Sequence, residues 1–326
     1  MSHRAPKEEL NKRSVFIGLL GVILIGGIVF FGNVASRSTM PPASKDSLPK
    51  TFAKFPIKAK AAFVYDAKTK QTLYSMNGNS QLPLASLTKI MMAVTALELL
   101  HPDAVVTIGT ESLQRGEGDS GLYGRERWRL SDLLGLTLVE SANAGANAIA
   151  QAAGGAAAAQ IAAAAGGVSA SADNYETTQA QFVAAMDQKA AALGLHQMYF
   201  LNPSGLDENN NVSGGYGSAH DVSLLFSYAI TKYPRIFENT TYGTRRFTSL
   251  SNLTHIIKNT DIFVGNFPGL LAGKTGYTDL AGGNLTIAFD AGPDHPIIVT
   301  VLGSTEQGRF TDAEKLVWAT LDYLQS

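Results

Sequence analysis

The stretch SVFIGLLGVILIGGIVFFG, Ser14–Gly32, carries no charged residue and is close to the length a helix needs to cross a bilayer. Such a run cannot rest in water, so it is either a membrane span or the apolar core of an export signal. Arg4, Lys7, Lys12 and Arg13 precede it, which predicts a cytoplasmic N-terminus over residues 1–13 and an extracytoplasmic remainder. Signal cores usually run about 7–15 residues, shorter than this one. The tripeptide VAS at Val34–Ser36 is only a marginal cleavage site. The expectation is a retained single-pass anchor over 14–32 in the cell membrane, with secretion after cleavage as the alternative.

After this run, residues 33–57 mix Pro, Ser and Lys without periodicity and read as a spacer. The remainder, 58–326, is long enough to bury a substantial core. The net charge of −1 leaves no electrostatic footprint for nucleic acid, and the absence of cysteine excludes disulfides and thiolate metal sites. AAFVYDAKTKQTLYSMN predicts a β-hairpin turning at Asp66–Lys70. Helical spacing follows from about Leu84, with Pro83 suited to the first turn, and again over Arg129–Gln151, where Ser131 is a plausible N-cap. A third helix is expected over Gln181–His196. Ser218 and Asp221 have capping-box spacing, as do Thr311 and Glu314 ahead of a closing helix. LLAGKTGYT, GGNLTIAFDAG and PIIVTVLGS read as successive strands. Residues 152–172 form an Ala/Gly-rich insertion, expected to be either a short helix bracketed by Gly154–Gly155 and Gly166–Gly167 or a mobile loop.

Three polar motifs interrupt these apolar runs. Ser86 and Lys89 lie three apart in PLASLTKI, so on a helix the hydroxyl and the amine are neighbours. Ser86 would then sit near a helix N-terminus, where free N–H groups favour developing negative charge. Ser141 and Asn143 stand at the end of an apolar helical run, and Lys274, Thr275 and Gly276 lie on a predicted strand. Each pattern alone is loose. SLPK at Ser47–Lys50 repeats the first, but Pro49 breaks helical geometry there. GEGDSG, Gly116–Gly121, matches a dinucleotide fingerprint without the flanking strand and helix it requires. His3, His101, His196, His220, His255 and His295 are scattered, so surface or capping roles are expected of them.

Ser-x-x-Lys, Ser-x-Asn and Lys-Thr-Gly in this order form the motif set of penicillin-recognising serine enzymes. ASLTKIMMA, SANAGA, MDQKAAALGL, FLNPSGLD, SAHD and GKTGYTDLAGGNL together resemble the low-molecular-mass penicillin-binding proteins, the serine D-alanyl-D-alanine carboxypeptidases, from about Ala61 onward. The resemblance implies an α/β (α+β) fold of the β-lactamase/transpeptidase type. An antiparallel sheet of the N-terminal hairpin and the C-terminal strands would be flanked by helices and a helical region from about Ser86 to Ile230. The site would lie where the Ser86 helix meets the Lys274 strand.

By the same resemblance Ser86 is the nucleophile, and Lys89 the base if burial and the charge of Lys274 lower its pKa by several units from its usual 10.4 or so. Ser141 relays a proton to the leaving amine and Asn143 binds the substrate amide. Lys274 and Thr275 hold the terminal carboxylate, Gly276 leaves the strand edge bare, and Tyr277 shares the oxyanion hole with Ser86 through backbone N–H groups. The implied partners are peptidoglycan stem peptides and β-lactams, with no metal or cofactor. Endopeptidase action on cross-links is the nearest alternative. A β-lactamase would need a glutamate in an E-x-x-L-N context, which Glu176, Glu208 and Glu238 lack, and a non-catalytic peptidoglycan-binding protein is a third reading. Ala144 stands where many relatives have an acid. The chain ends after the closing helix, so the N-terminal run is expected to replace the C-terminal anchor of many relatives.

Overall fold

The computed structural model describes residues 50–53, 56–116, 121–164 and 174–326. The run Ser14–Gly32 lies outside them, and no helix among the described residues is long and apolar enough to cross a membrane.

The expected sheet is present. Its five strands run in the order Leu270–Thr278, Gly282–Asp290, Pro296–Ser304, Ala61–Asp66, Gln71–Met76, and every neighbouring pair is antiparallel. The first and last stretches of the domain therefore meet at its centre, where Phe63 is opposite Thr300 and Val64 opposite Val299. The central strands are buried on both faces, as their continuous apolar runs require. On one face, the closing helix Gly308–Leu324 packs Phe310, Leu316 and Val317 against Ile287, Phe289 and Val299. Asp312 on that helix accepts hydrogen bonds from the Lys58 and Ala59 amides and from Ser304 Oγ, which fixes the chain's entry into the sheet. On the other face lie the helices Thr88–Leu99 and Ala219–Lys232, with a larger core of Leu, Ile and Ala side chains beyond them. Ser218 caps the second of these, its Oγ accepting from the Asp221 amide at 3.1 Å.

Several local expectations are corrected. Leu82–Pro83 belongs to a short strand paired with Gly217 and Tyr216, so Pro83 is not in a helix. A 3-10 turn, Ala85–Leu87, follows, and the α-helix begins only at Thr88. Ala85 has φ +48°, which prevents the helix from extending back to Leu84. The region Arg129–Gln151 is two helices, Leu130–Glu140 and Asn143–Ala164, separated at Ser141, whose φ is +67°. Arg129, not Ser131, occupies the cap position. The second helix runs straight through Gly154–Gly155, because its alanines outweigh two glycines in helix propensity. Gly154 also has a packing role: a Cβ there would collide with Thr178 on the helix Tyr175–Ala192. That helix starts earlier than expected, capped by Asn174, and stops before Gly194, whose φ is +71°. Thr311 lies inside the closing helix and donates to Gly308 O instead of capping it. Residues 165–173 of the Ala/Gly segment and 117–120 of the GEGDSG pattern lie outside the described residues. His255 is a buried residue bonded to Glu126 Oε1 at 2.7 Å, not a surface one.

Candidate active site

The strand Leu270–Thr278 is an edge of the sheet, and its free side faces the Ala85–Leu87 turn. Contact is close at Gly276, where a Cβ would lie 2.9 Å from Leu84 O and 3.2 Å from Ser86 N. A side chain at 276 would thus wedge the strand away from the turn. Ser86 is half-buried at this junction, ahead of the first turn of the Thr88–Leu99 helix.

Lys89 has no solvent exposure. Its Nζ lies 2.9 Å from Ser86 Oγ, 2.7 Å from Asn143 Oδ1 and 2.7 Å from the Ser204 carbonyl. Burial, and then the positive charge of Lys274, hold its pKa well below the ordinary lysine range. The partner set fits a neutral amine. Asn143 Oδ1 and Ser204 O can only accept, so they take both hydrogens of an uncharged –NH₂, and the lone pair is left facing the hydroxyl of Ser86.

The break at Ser141 gives the second half of the site. A left-handed residue between two helices turns Ser141 Oγ toward Lys274 Nζ, 2.9 Å away, while Asn143 begins the next helix and reaches Lys89. Such a conformation costs a non-glycine residue about 1–2 kcal/mol. Ser141 is therefore held by Lys274 and not by Lys89. Lys274 is buried and also donates to Thr275 O at 2.9 Å. Its pKa is pushed down to about 7, by burial first and the Arg309 guanidinium second, with Asp261 opposing. Thr275 Oγ1 meets Thr260 Oγ1 at 2.6 Å, and the Tyr277 side chain is exposed. All eight residues singled out in the sequence thus fall in or beside one cleft.

Two contributors were not legible in the sequence. Ser204 supplies a main-chain carbonyl to Lys89 from a loop shaped by Asn202, whose Oδ1 accepts from Ser204 N, Ser204 Oγ and Gly205 N. Gly205 has φ +79°, and a Cβ on it would collide with Ala85 O, so this glycine lets the loop close over the nucleophile's turn. The sequence signal was the stretch FLNPSGLD of the family resemblance, whose turn-forming NPSG, Asn202–Gly205, marks the loop but not the carbonyl's role. Arg309 donates from Nη1 to Gly276 O at 2.8 Å. It opens the closing helix and has no local signal.

This cleft, a serine beside a buried lysine at the edge of an antiparallel sheet, defines a penicillin-recognising serine hydrolase fold. The chain matches the D-alanyl-D-alanine carboxypeptidase family (peptidase S11) over residues 48–164 and 158–306, and it belongs to that family. It is 28% identical over 250 residues to a D-alanyl-D-alanine carboxypeptidase of Mycobacterium tuberculosis, covering 77% of each chain. It is also 28% identical over 291 residues to a D-alanyl-D-alanine endopeptidase of Pseudomonas aeruginosa, covering 87% of this chain and 83% of that one. Among solved structures, penicillin-binding protein D2 of Listeria monocytogenes in its ampicillin-bound form aligns with a TM-score of 0.65 at 25% identity, over 81% of this chain and 98% of that one.

Proposed function

We propose that the protein is a serine D-alanyl-D-alanine carboxypeptidase that acylates on Ser86 and removes the terminal D-alanine of peptidoglycan stem peptides. The observation that carries this reading is the fully buried Lys89 amine 2.9 Å from Ser86 Oγ, whose pKa burial and then the charge of Lys274 hold well below the ordinary lysine range, so that it can take the serine's proton. Ser86 Oγ attacks the penultimate D-alanine carbonyl while Lys89 takes its proton. The oxyanion forms against the backbone N–H groups of Ser86 and Tyr277. Asn143, its Oδ1 occupied by Lys89, turns its Nδ2 hydrogens to the substrate's amide carbonyl. Ser141 accepts a hydrogen bond from Lys274, so its own hydrogen is free for the leaving amine, and it relays the proton gained by Lys89 once it swings from Lys274 to Lys89. Lys274 and Thr275 bind the terminal carboxylate, beside the bare edge at Gly276. Water then attacks the ester, with Lys89 again as base. β-Lactams would acylate the same serine, in keeping with the ampicillin-bound structural relative.

Endopeptidase action is the second reading, favoured by the similarity to a named endopeptidase. Mass spectrometry of pentapeptides and cross-linked muropeptides incubated with the external domain separates the two, with Ser86→Ala as control. Ser86-dependent loss of one D-alanine supports the carboxypeptidase, and opened cross-links support the endopeptidase. No change in either substrate contradicts both.

For location, the charge pattern around Ser14–Gly32 supports a single-pass anchor with residues 33–57 as spacer and the catalytic domain, 58–326, outside the cell. Retention in the membrane fraction after a high-salt wash is expected. Release would favour cleavage and secretion.

A further inference from the structure

Behind Lys274 the fold buries a carboxylate that this reaction does not use. Asp261 is 2% exposed. It follows the hairpin strand Thr254–Lys258 in a turn held by side chains. Asn259 Oδ1 accepts from the Asp261 amide at 2.8 Å, and Asp261 Oδ1 accepts from the Phe263 amide at 3.0 Å. Its Oδ2 is buried without a hydrogen-bond partner, and a Cβ at Gly273 would lie 3.2 Å from it. The carboxylate therefore rests on the strand backbone one residue before Lys274, in space that a side chain at 273 would crowd. The neighbouring contact between Thr260 and Thr275 fixes the same turn to the same strand. Arg309 reaches the strand from the closing helix, bonded to Gly276 O, and its Nε is likewise buried without a partner.

We propose that Asp261 is a positioning residue whose charge favours the protonated form of Lys274, and so extends upward the pH range over which the site binds a substrate's terminal carboxylate. The inference rests on the carboxypeptidase reading above. Two buried cations side by side repel, and a guanidinium keeps its proton, so the lysine must yield unless an anion offsets the pair. Asp261 is the anion acting on both Lys274 and Arg309. The other charged groups about the cluster are Lys89, which senses Lys274, and Glu306 and Tyr277, which act on Arg309. Burial pushes Asp261 itself up to about 6. Below that pH its charge is lost and the lysine is protonated regardless.

Asp261→Asn keeps the shape and the acceptor for Phe263. The test is steady-state kinetics of the external domain from about pH 5 to pH 9 on a peptide ending in D-alanyl-D-alanine. The alkaline limb of kcat/KM should move about one pH unit lower, an approximately tenfold loss at about pH 8 that is carried by KM. At about pH 5 variant and parent should agree within roughly twofold, because the parent's carboxyl is already neutral. Gly273→Ala, which presses the carboxylate away without removing it, should shift the limb the same way and serves if the first variant does not fold. Equal loss at every pH would reduce Asp261 to a packing role and overturn the proposal. Tighter binding above pH 6 would also overturn it, by making Asp261 a competitor of the substrate carboxylate, and so would an unmoved limb. If the parent protein neither releases D-alanine nor acylates with penicillin, it is the carboxypeptidase reading that fails.

Discussion

Lys89 and Lys274 share a burial, a cleft and a 2.9 Å contact with a serine hydroxyl, but the groups around them differ in kind. Lys89 is surrounded by neutral acceptors, Asn143 Oδ1 and Ser204 O, with a cation as its nearest charge. Lys274 has the Thr275 carbonyl and, behind the strand, the Asp261 carboxylate. Desolvation acts on both, and only the second has an anion to oppose it. The first lysine is therefore suited to take a proton and the second to bind an anion. Residue type sets neither role; the charge of what is buried beside it does.

The sharpest break in this comparison is Ser86→Ala, which should abolish covalent acylation by penicillin, read by intact-protein mass spectrometry. An adduct surviving in that variant would locate the nucleophile elsewhere. Lys89→Arg keeps a cation but cannot supply a lone pair, so acylation should slow by about 10²–10⁴-fold. A variant near parental speed would mean that Lys89 acts by charge alone. Lys274→Gln should raise KM for a peptide with a free terminal carboxylate by roughly 10–100-fold, since a hydrogen bond to a charged group contributes about 1.5–3 kcal/mol. The same change should matter little for a C-terminally amidated peptide. Gly276→Ala should slow acylation several-fold by forcing the strand off Leu84 O and Ser86 N, with strain of about 1 kcal/mol. Away from the cleft, Asn174→Ala removes the cap that accepts from the Thr177 amide at 2.9 Å. It should lower stability by about 1 kcal/mol in denaturant titration and leave acylation unchanged.

What the sequence revealed follows the range of the interactions. Ser86 with Lys89, Ser141 with Asn143, and Lys274 through Gly276 are short patterns, and the strand runs beside them are local too, so motif order and sheet were readable together. Local signals misled where backbone strain intervened. Pro83 suits a helix start, but pairing with Tyr216 and the positive φ of Ala85 delay the helix to Thr88. Likewise the apolar periodicity over Arg129–Gln151 continues across a break that Ser141's left-handed backbone imposes. Ser204, Arg309 and Asp261 act on residues more than thirty positions away, or from behind a strand, or through a main-chain atom. Nothing beside Arg309 or Asp261 marks them, and the NPSG turn around Ser204 marks a loop without its role.

The most direct test of the account is the second-order rate constant for penicillin acylation of the protein from about pH 5 to pH 10. A neutral Lys89 predicts a rate already high at neutral pH, falling on the alkaline side as Lys274 loses its proton near 7 and its hold on the β-lactam carboxylate weakens. A rate that instead climbs about tenfold per pH unit toward 10 would show an ordinary lysine at position 89 and contradict the assignment of the base.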